Sequence, residues 1–272
     1  MSERYLRLPP GQPVTPERAG WRYLSFSVHE LDGPMTVGGP DIETAVVGLA
    51  GGAFVVGELE LPGRTSVWDG LPSAAYLPPG FVAIVAPAGS SVTVAVAHAP
   101  ASGRAAAEAP VRIGPEDVRV EVRGAGNATR QINHIITPDF PADRLEVVEV
   151  YTPSGNWSSW PPHKHDTDDM PREAILEEIY SYRFRRPEAW GVQRLYRADG
   201  SRDALLSVRD GETVLVTDGY HPFVATHGDD AYYLNALAGD HRTMACSFDP
   251  NLEFVMEEWA GVAPDPRVPL VR

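Results

Sequence analysis

Short apolar runs alternate with turn residues along most of the chain. In the first hundred residues, Trp21-Arg22-Tyr23-Leu24-Ser25-Phe26, Thr44-Ala45-Val46-Val47, Ala53-Phe54-Val55-Val56 and Val92-Thr93-Val94-Ala95-Val96 read as strands. Pro62-Gly63, Asp69-Gly70 and Pro79-Gly80 read as the turns between them. The small-residue stretch from Ala99 to Pro110 reads as a connector, with a short helix around Ala105-Ala106-Ala107 as the alternative. Strand-like runs resume at Val118–Val122, Leu145–Val150, Glu178–Phe184, Gly191–Tyr196, Ala204–Val208, Thr213–Val216 and Tyr232–Leu237. This spacing predicts an all-β chain of antiparallel sandwiches or barrels, with one unit over residues 1–110 and a second over 111–272.

The two units echo one another weakly. Leu77-Pro78-Pro79-Gly80-Phe81-Val82 resembles Val216-Thr217-Asp218-Gly219-Tyr220-His221, and Val82 stands where His221 stands. We read two copies of one β unit, with metal chemistry in the second copy alone.

Composition narrows the picture. The 272 residues are 43% hydrophobic, which supports a packed core rather than a disordered chain. A formal charge of −14 disfavours nucleic acid as a partner, and an anionic substrate would need a local Arg or Lys. Cys246 is the only cysteine, so no intrachain disulfide can form, and it reads as a buried thiol. The start lacks a secretion signal and no apolar stretch is long enough for a bilayer, so a cytoplasmic protein with no membrane partner is expected. A homo-oligomer is compatible with the sequence.

The chemistry-bearing residues cluster after residue 160. His163 and His165 lie two apart in Pro161-Pro162-His163-Lys164-His165-Asp166, so on an extended strand both imidazoles face one side. Glu177-Glu178-Ile179-Tyr180 follows, and His221 comes after the Asp218-Gly219-Tyr220 turn. Three imidazoles and a carboxylate, with no thiol, suit a divalent zinc, manganese or iron ion. Parity puts Glu177 and Glu178 on opposite faces without choosing between them. If Glu178 faces in, Tyr180 and Tyr182 face in with it. His134 is expected near the pocket, His227 at its rim, and His29, His98 and His241 elsewhere. The acidic run Asp166–Asp169 lacks calcium-loop spacing and reads as a solvated loop.

Longer motifs carry a resemblance. Gly155-Asn156-Trp157-Ser158-Ser159-Trp160-Pro161-Pro162-His163-Lys164-His165-Asp166, Leu176-Glu177-Glu178-Ile179-Tyr180, Gly219-Tyr220-His221-Pro222 and Tyr232-Tyr233-Leu234-Asn235-Ala236-Leu237-Ala238-Gly239 resemble the 5-deoxy-glucuronate isomerase family of inositol catabolism. Arg123-Gly124, Arg130-Gln131 and Val67-Trp68-Asp69-Gly70-Leu71-Pro72 fit the same pattern. The resemblance implies a bicupin, two antiparallel jelly-roll barrels in tandem, related to 4-deoxy-uronate isomerases. It implies His163, His165, Glu178 and His221 as metal ligands, with Glu177 behind or outside the site.

The implied reaction converts 5-deoxy-glucuronate to 5-dehydro-2-deoxy-gluconate, an aldose–ketose isomerisation of a small deoxy-uronic acid. By parity and position Tyr180, Tyr182, Gln193 and Tyr233 are pocket candidates, the tyrosines catalytic and Gln193 substrate-binding. Arg183 or Arg194 would pair with the substrate carboxylate, because a guanidinium fits that group bidentately. A metal-dependent cupin dioxygenase and a non-catalytic sugar-binding cupin are the alternatives.

Overall fold

The alternating runs fold into two pairs of antiparallel sheets, one pair in each half of the chain. The computed structural model describes residues 6–272. In the first half, strands Val111–Ile113, Ala74–Leu77, Ile42–Gly51, Val92–Pro100 and Ser25–Leu31 form a five-stranded sheet in that order. A four-stranded sheet of Met35–Gly38, Val82–Pro87, Phe54–Val56 and Leu59–Leu61 packs against it over an apolar core. In the second half, a seven-stranded sheet runs in the order Arg7–Leu8, Thr213–Val216, Leu176–Phe184, Ala231–Gly239, Leu145–Thr152, Arg130–Ile136 and Arg119–Arg123. Its partner is a four-stranded sheet of Trp157–Ser158, Phe223–Ala225, Trp190–Tyr196 and Asp203–Arg209. Among the described residues no helix is long and apolar enough to cross a membrane.

The internal echo is visible in register. Glu178 pairs with Val216 on one side and Leu237 on the other, and Thr44 pairs with Leu77 and His98 in the same way. Leu77 and Val216 are therefore equivalent positions, and Thr44 occupies the place of Glu178. Each copy also lends its leading strand to the other. Arg7–Leu8 pairs with Thr213–Val216, and Val111–Ile113 pairs with Ala74–Leu77. Arg7–Leu8, on the first side of the division expected at residue 110, and Val111–Ile113, on the second, thus each join the sheet of the other copy.

The two large sheets face each other across a shared apolar core that includes Ala45, Val47, Ala95, Val147, Ile179, Leu234 and Ala236. This gives each central strand two different faces. In Leu176–Phe184 the odd residues meet the other half, and the even residues Tyr180, Tyr182 and Phe184 meet the interior of their own pair of sheets.

Carboxylates clasp the halves reciprocally. Glu177 accepts hydrogen bonds from the amides of Arg22 (2.6 Å), Tyr23 (2.9 Å) and Leu24 (2.8 Å). Glu43, at the equivalent position of the first copy, accepts from the amides of Asp143 (2.8 Å), Arg144 (2.6 Å) and Leu145 (2.8 Å). This corrects one sequence expectation and decides another between its two alternatives. The strand expected from Trp21 begins only at Ser25, because the preceding amides are committed to Glu177. The connector forms no helix around Ala105, since the amides of Ser102, Gly103 and Arg104 turn to Asp143 instead. Replacing Glu177 by alanine leaves three amides, two of them buried, without this acceptor. The expected loss is about 2–4 kcal/mol in unfolding free energy at about 1 kcal/mol per bond, read by denaturant melts, with metal per folded chain unchanged.

Candidate metal centre and active site

The site forms at one end of the second pair of sheets, where the interior turns from apolar to polar. Three neighbouring strands and two loops converge there. Glu178 comes from the central strand Leu176–Phe184, and His221 follows the turn after Thr213–Val216. His165 lies just beyond the short strand His163–Lys164, which pairs with Ser247–Phe248. The loops are tied together by Asp166, which accepts from Lys164 Nζ at 2.6 Å and from the Gly219 amide at 2.7 Å.

His165, Glu178 and His221 are buried and bring one ligand atom each to within 4.8 Å of the others. His165 Nε2 lies 2.9 Å and His221 Nε2 lies 3.4 Å from Glu178 Oε2. The other ring nitrogens define the tautomers. Nδ1 of His165 donates to the Leu176 carbonyl at 2.9 Å, and Nδ1 of His221 donates to the Gly219 carbonyl at 3.0 Å. A carbonyl only accepts, so Nε2 is the free atom that each ring turns toward Glu178: it hydrogen-bonds the carboxylate in His165 and carries a bare lone pair in His221. His221 Nε2 is buried without a hydrogen-bond partner among the described residues. A buried acceptor with no donor is costly in a protein and natural in a metal ligand. The donor set therefore fits a divalent ion.

His163 stands beside this group rather than in it. Its ring centroid is 4.6 Å from that of His221 and 6.3 Å from that of His165. Burial and the neighbouring imidazoles push His163 and His221 down to about 3, so both are neutral lone-pair donors at neutral pH. Burial works against a charged His165, yet the Glu178 carboxylate holds its pKa above the ordinary value.

A cavity of about 260 Å³ opens beside the group, with a smaller one of about 70 Å³ behind it. Arg123, Arg130, His163, Glu178 and Met244 line both. Tyr180 and Tyr233 line the smaller one, their rings 4.6 Å apart. Ser159 Oγ lies 2.7 Å from the Tyr180 hydroxyl, and Tyr233 donates to Ser158 at 3.0 Å. Burial raises Tyr180 well above its ordinary value and Tyr233 to about 12, so both phenols keep their protons. Cys246 lines the larger cavity, but burial pushes its thiol up to about 11, which removes it as a nucleophile.

The strands and loops around this centre match known proteins over nearly the whole chain. The profile of the KduI/IolB family matches residues 9–255. The chain belongs to this family. It is 41% identical over 250 residues to the 5-deoxy-glucuronate isomerase of Geobacillus kaustophilus, covering 90% of both chains. The 5-deoxy-glucuronate isomerase of Halalkalibacterium halodurans is 34% identical over 251 residues, 90% of this chain and 92% of that one. An IolB-like protein from Salmonella typhimurium superposes with a TM-score of 0.86 at 33% identity, covering 92% of this chain and 99% of that one. An oxalate decarboxylase from Lactobacillus farciminis superposes with a TM-score of 0.63 at 10% identity, over 91% of this chain and 89% of that one, which shows the fold alone. The architecture is that of a bicupin.

Within this family member, the expected site residues separate into those near the ion group and those away from it. Tyr180 and Tyr233 reach the cavity. Tyr182 and Gln193 lie beneath it, Tyr182 donating to Gln193 Oε1 at 2.8 Å while Gln193 Nε2 reaches the His221 carbonyl at 3.4 Å. Arg183 is on the odd face of its strand, donates to the Tyr182 carbonyl at 2.7 Å and lines a cleft between the halves with Trp68 and Glu30. Arg194 is at the surface in a two-pronged pair with Asp203 at 2.7 and 2.8 Å. Neither arginine lines the cavity, because each is adjacent to an inward residue, Tyr182 or Gln193, and strand alternation turns it to the other face. Glu177 is the half-to-half clasp rather than a solvated residue. His134 lines the smaller cavity, and His227 is exposed on its loop. The residues that sequence reasoning missed are Arg130 and Arg123. The signal for Arg130 was the alternation Arg130, Ile132, His134 along one strand, all three of which line the smaller cavity.

Proposed function

We infer that this protein isomerises 5-deoxy-glucuronate to 5-dehydro-2-deoxy-gluconate with the help of one divalent ion. The family and its 5-deoxy-glucuronate isomerase relatives support the reaction. The single observation that supports the ion is the unpartnered Nε2 of His221, aimed at Glu178 beside the Nε2 of His165. His165, Glu178 and His221 would hold zinc, manganese or iron, and His163, its ring 4.6 Å from that of His221, would complete the set as the adjoining ligand. Such an ion supplies a Lewis acid for a carbonyl and its neighbouring hydroxyl.

The reaction breaks a C–H bond at the hydroxyl-bearing carbon, forms one at the aldehyde carbon and moves the hydroxyl proton to the aldehyde oxygen. No net oxidation occurs. The protein's own groups bind, orient and keep water out. Tyr180, protonated at neutral pH, donates to a sugar oxygen while accepting from Ser159, and Tyr233, whose one proton goes to Ser158, accepts from a sugar hydroxyl. Tyr182 and Gln193 act from beneath, holding the His221 backbone in place. Apolar walls from Trp160, Phe248 and Trp259 exclude solvent.

Metal-replete protein, supplied with 5-deoxy-glucuronate under nitrogen and without nicotinamide or ATP, is expected to give the ketone product by NMR. A requirement for oxygen, or no turnover, rejects this reading.

A further inference from the structure

The sugar acid carries a negative charge into a protein of net charge −14, so the site needs a dedicated cation. The cations near the cavity are mostly spoken for. Lys164 is held by Asp166 and Glu173 at 2.6 and 2.8 Å, and Arg123 by Glu121 at 2.7 and 3.0 Å. Arg130 differs. It is only 7% exposed, and among the described residues its guanidinium meets no carboxylate. Nη1 donates to the carbonyls of Ala128 at 3.1 Å and Trp160 at 3.0 Å, which fix its direction without neutralising it. Five guanidinium N–H groups cannot be satisfied by two carbonyls.

We propose that Arg130 is the anchor for the substrate carboxylate, and so the residue that selects sugar acids over neutral sugars. This rests on the isomerase reading and names the group that recognises its substrate class. Arg130 lines both cavities together with Glu178 and His163, so an anion on its fork and a carbonyl at the ion group belong to one molecule. The planar fork matches a carboxylate with two parallel hydrogen bonds. The apolar cavity strengthens the attraction by excluding water. Burial lowers the Arg130 pKa to about 10, so the guanidinium is still charged at neutral pH but poorly solvated, a condition an arriving anion relieves. Arg123 lines the same cavities but is already neutralised by Glu121, which leaves Arg130 as their unpaired guanidinium among the described residues.

The test compares wild type with Arg130→Met and Arg130→Lys in two assays. Calorimetric titration with gluconate, an unreactive sugar acid, is expected to show affinity lowered at least about a hundredfold in Arg130→Met. Arg130→Lys should fall between, since it keeps the charge and loses the fork. Kinetics on 5-deoxy-glucuronate should show the loss chiefly in KM, because a carboxylate remote from the reacting carbons is bound similarly before and during reaction. The neutral aldose bearing a hydroxymethyl in place of the carboxylate should react poorly and equally in wild type and Arg130→Met. Arg130→Gln, which can still bond both carbonyls, guards against a folding failure. Metal content should not change. Gluconate affinity equal to wild type in Arg130→Met or Arg130→Gln overturns the proposal. If wild type binds gluconate through Arg130 but leaves 5-deoxy-glucuronate unchanged, the isomerase reading fails while the anion site stands.

Discussion

His221→Ala is expected to purify with almost no divalent ion and to lose on the order of 10³ in kcat/KM. The size follows from the several kcal/mol of charge stabilisation a bound ion contributes, at about 1.4 kcal/mol per tenfold. The residue is well suited to the test. Its Nδ1 is fixed by the Gly219 carbonyl, and its Nε2 has no other use among the described residues. Alanine removes one ligand and leaves the strand pairing of Glu178 untouched. Elemental analysis after gel filtration in chelator-treated buffer reads the first expectation and steady-state kinetics the second. His29→Ala, in the other half and bonded to Ser27, should change neither. Full metal content in His221→Ala would end the assignment of this centre.

The largest stability effect is expected from a charge pair far from the chemistry. Arg64 of the first half reaches Glu149 of the second, with their side chains 4% and 0% exposed. Glu149 also accepts from the Tyr232 hydroxyl at 2.8 Å and from Asn133 Nδ2 at 3.3 Å. Arg64→Met strands a carboxylate in the shared core and should cost about 3–5 kcal/mol. The double variant Arg64→Met/Glu149→Leu should recover much of that loss, because no buried charge is then left alone. Denaturant melts of both proteins check the pair of expectations. A single variant within about 1 kcal/mol of wild type would mean that water reaches Glu149.

How much of this was readable in the sequence depends on what each strand faces. Strands with one apolar face, such as Asp203–Arg209 with its strictly alternating burial, announced themselves by period. Strand Arg130–Ile136 did not. All seven of its residues are buried, yet Arg130, Gln131, Asn133 and His134 are polar. One face lines the cavity. The other carries Gln131 and Asn133, hydrogen-bonded to each other at 2.8 Å within the core between the halves. A strand polar on both faces looks like a loop until its partners are known. The histidines and Glu178 were legible because a metal site imposes residue types and order. Arg183 and Arg194 were misplaced against parity itself: each is adjacent to an inward residue, Tyr182 or Gln193, and so faces the other side of its strand.

The paired clasps have a meaning beyond strength. Glu43 holds residues 143–145 and Glu177 holds residues 22–24, and strand register makes these equivalent stretches of the two copies. Contact of residue i with j, repeated as j with i, is isologous, the contact rule of a twofold homodimer. Exchange of leading strands between copies is the mark of a swapped one. The chain therefore carries, in covalent form, the interface of two identical subunits. Because the two copies lie in one chain, a substitution in one is not repeated in the other. Thr44 and Val82 stand where Glu178 and His221 stand, and the reciprocal grip of Glu43 and Glu177 is the same on both sides.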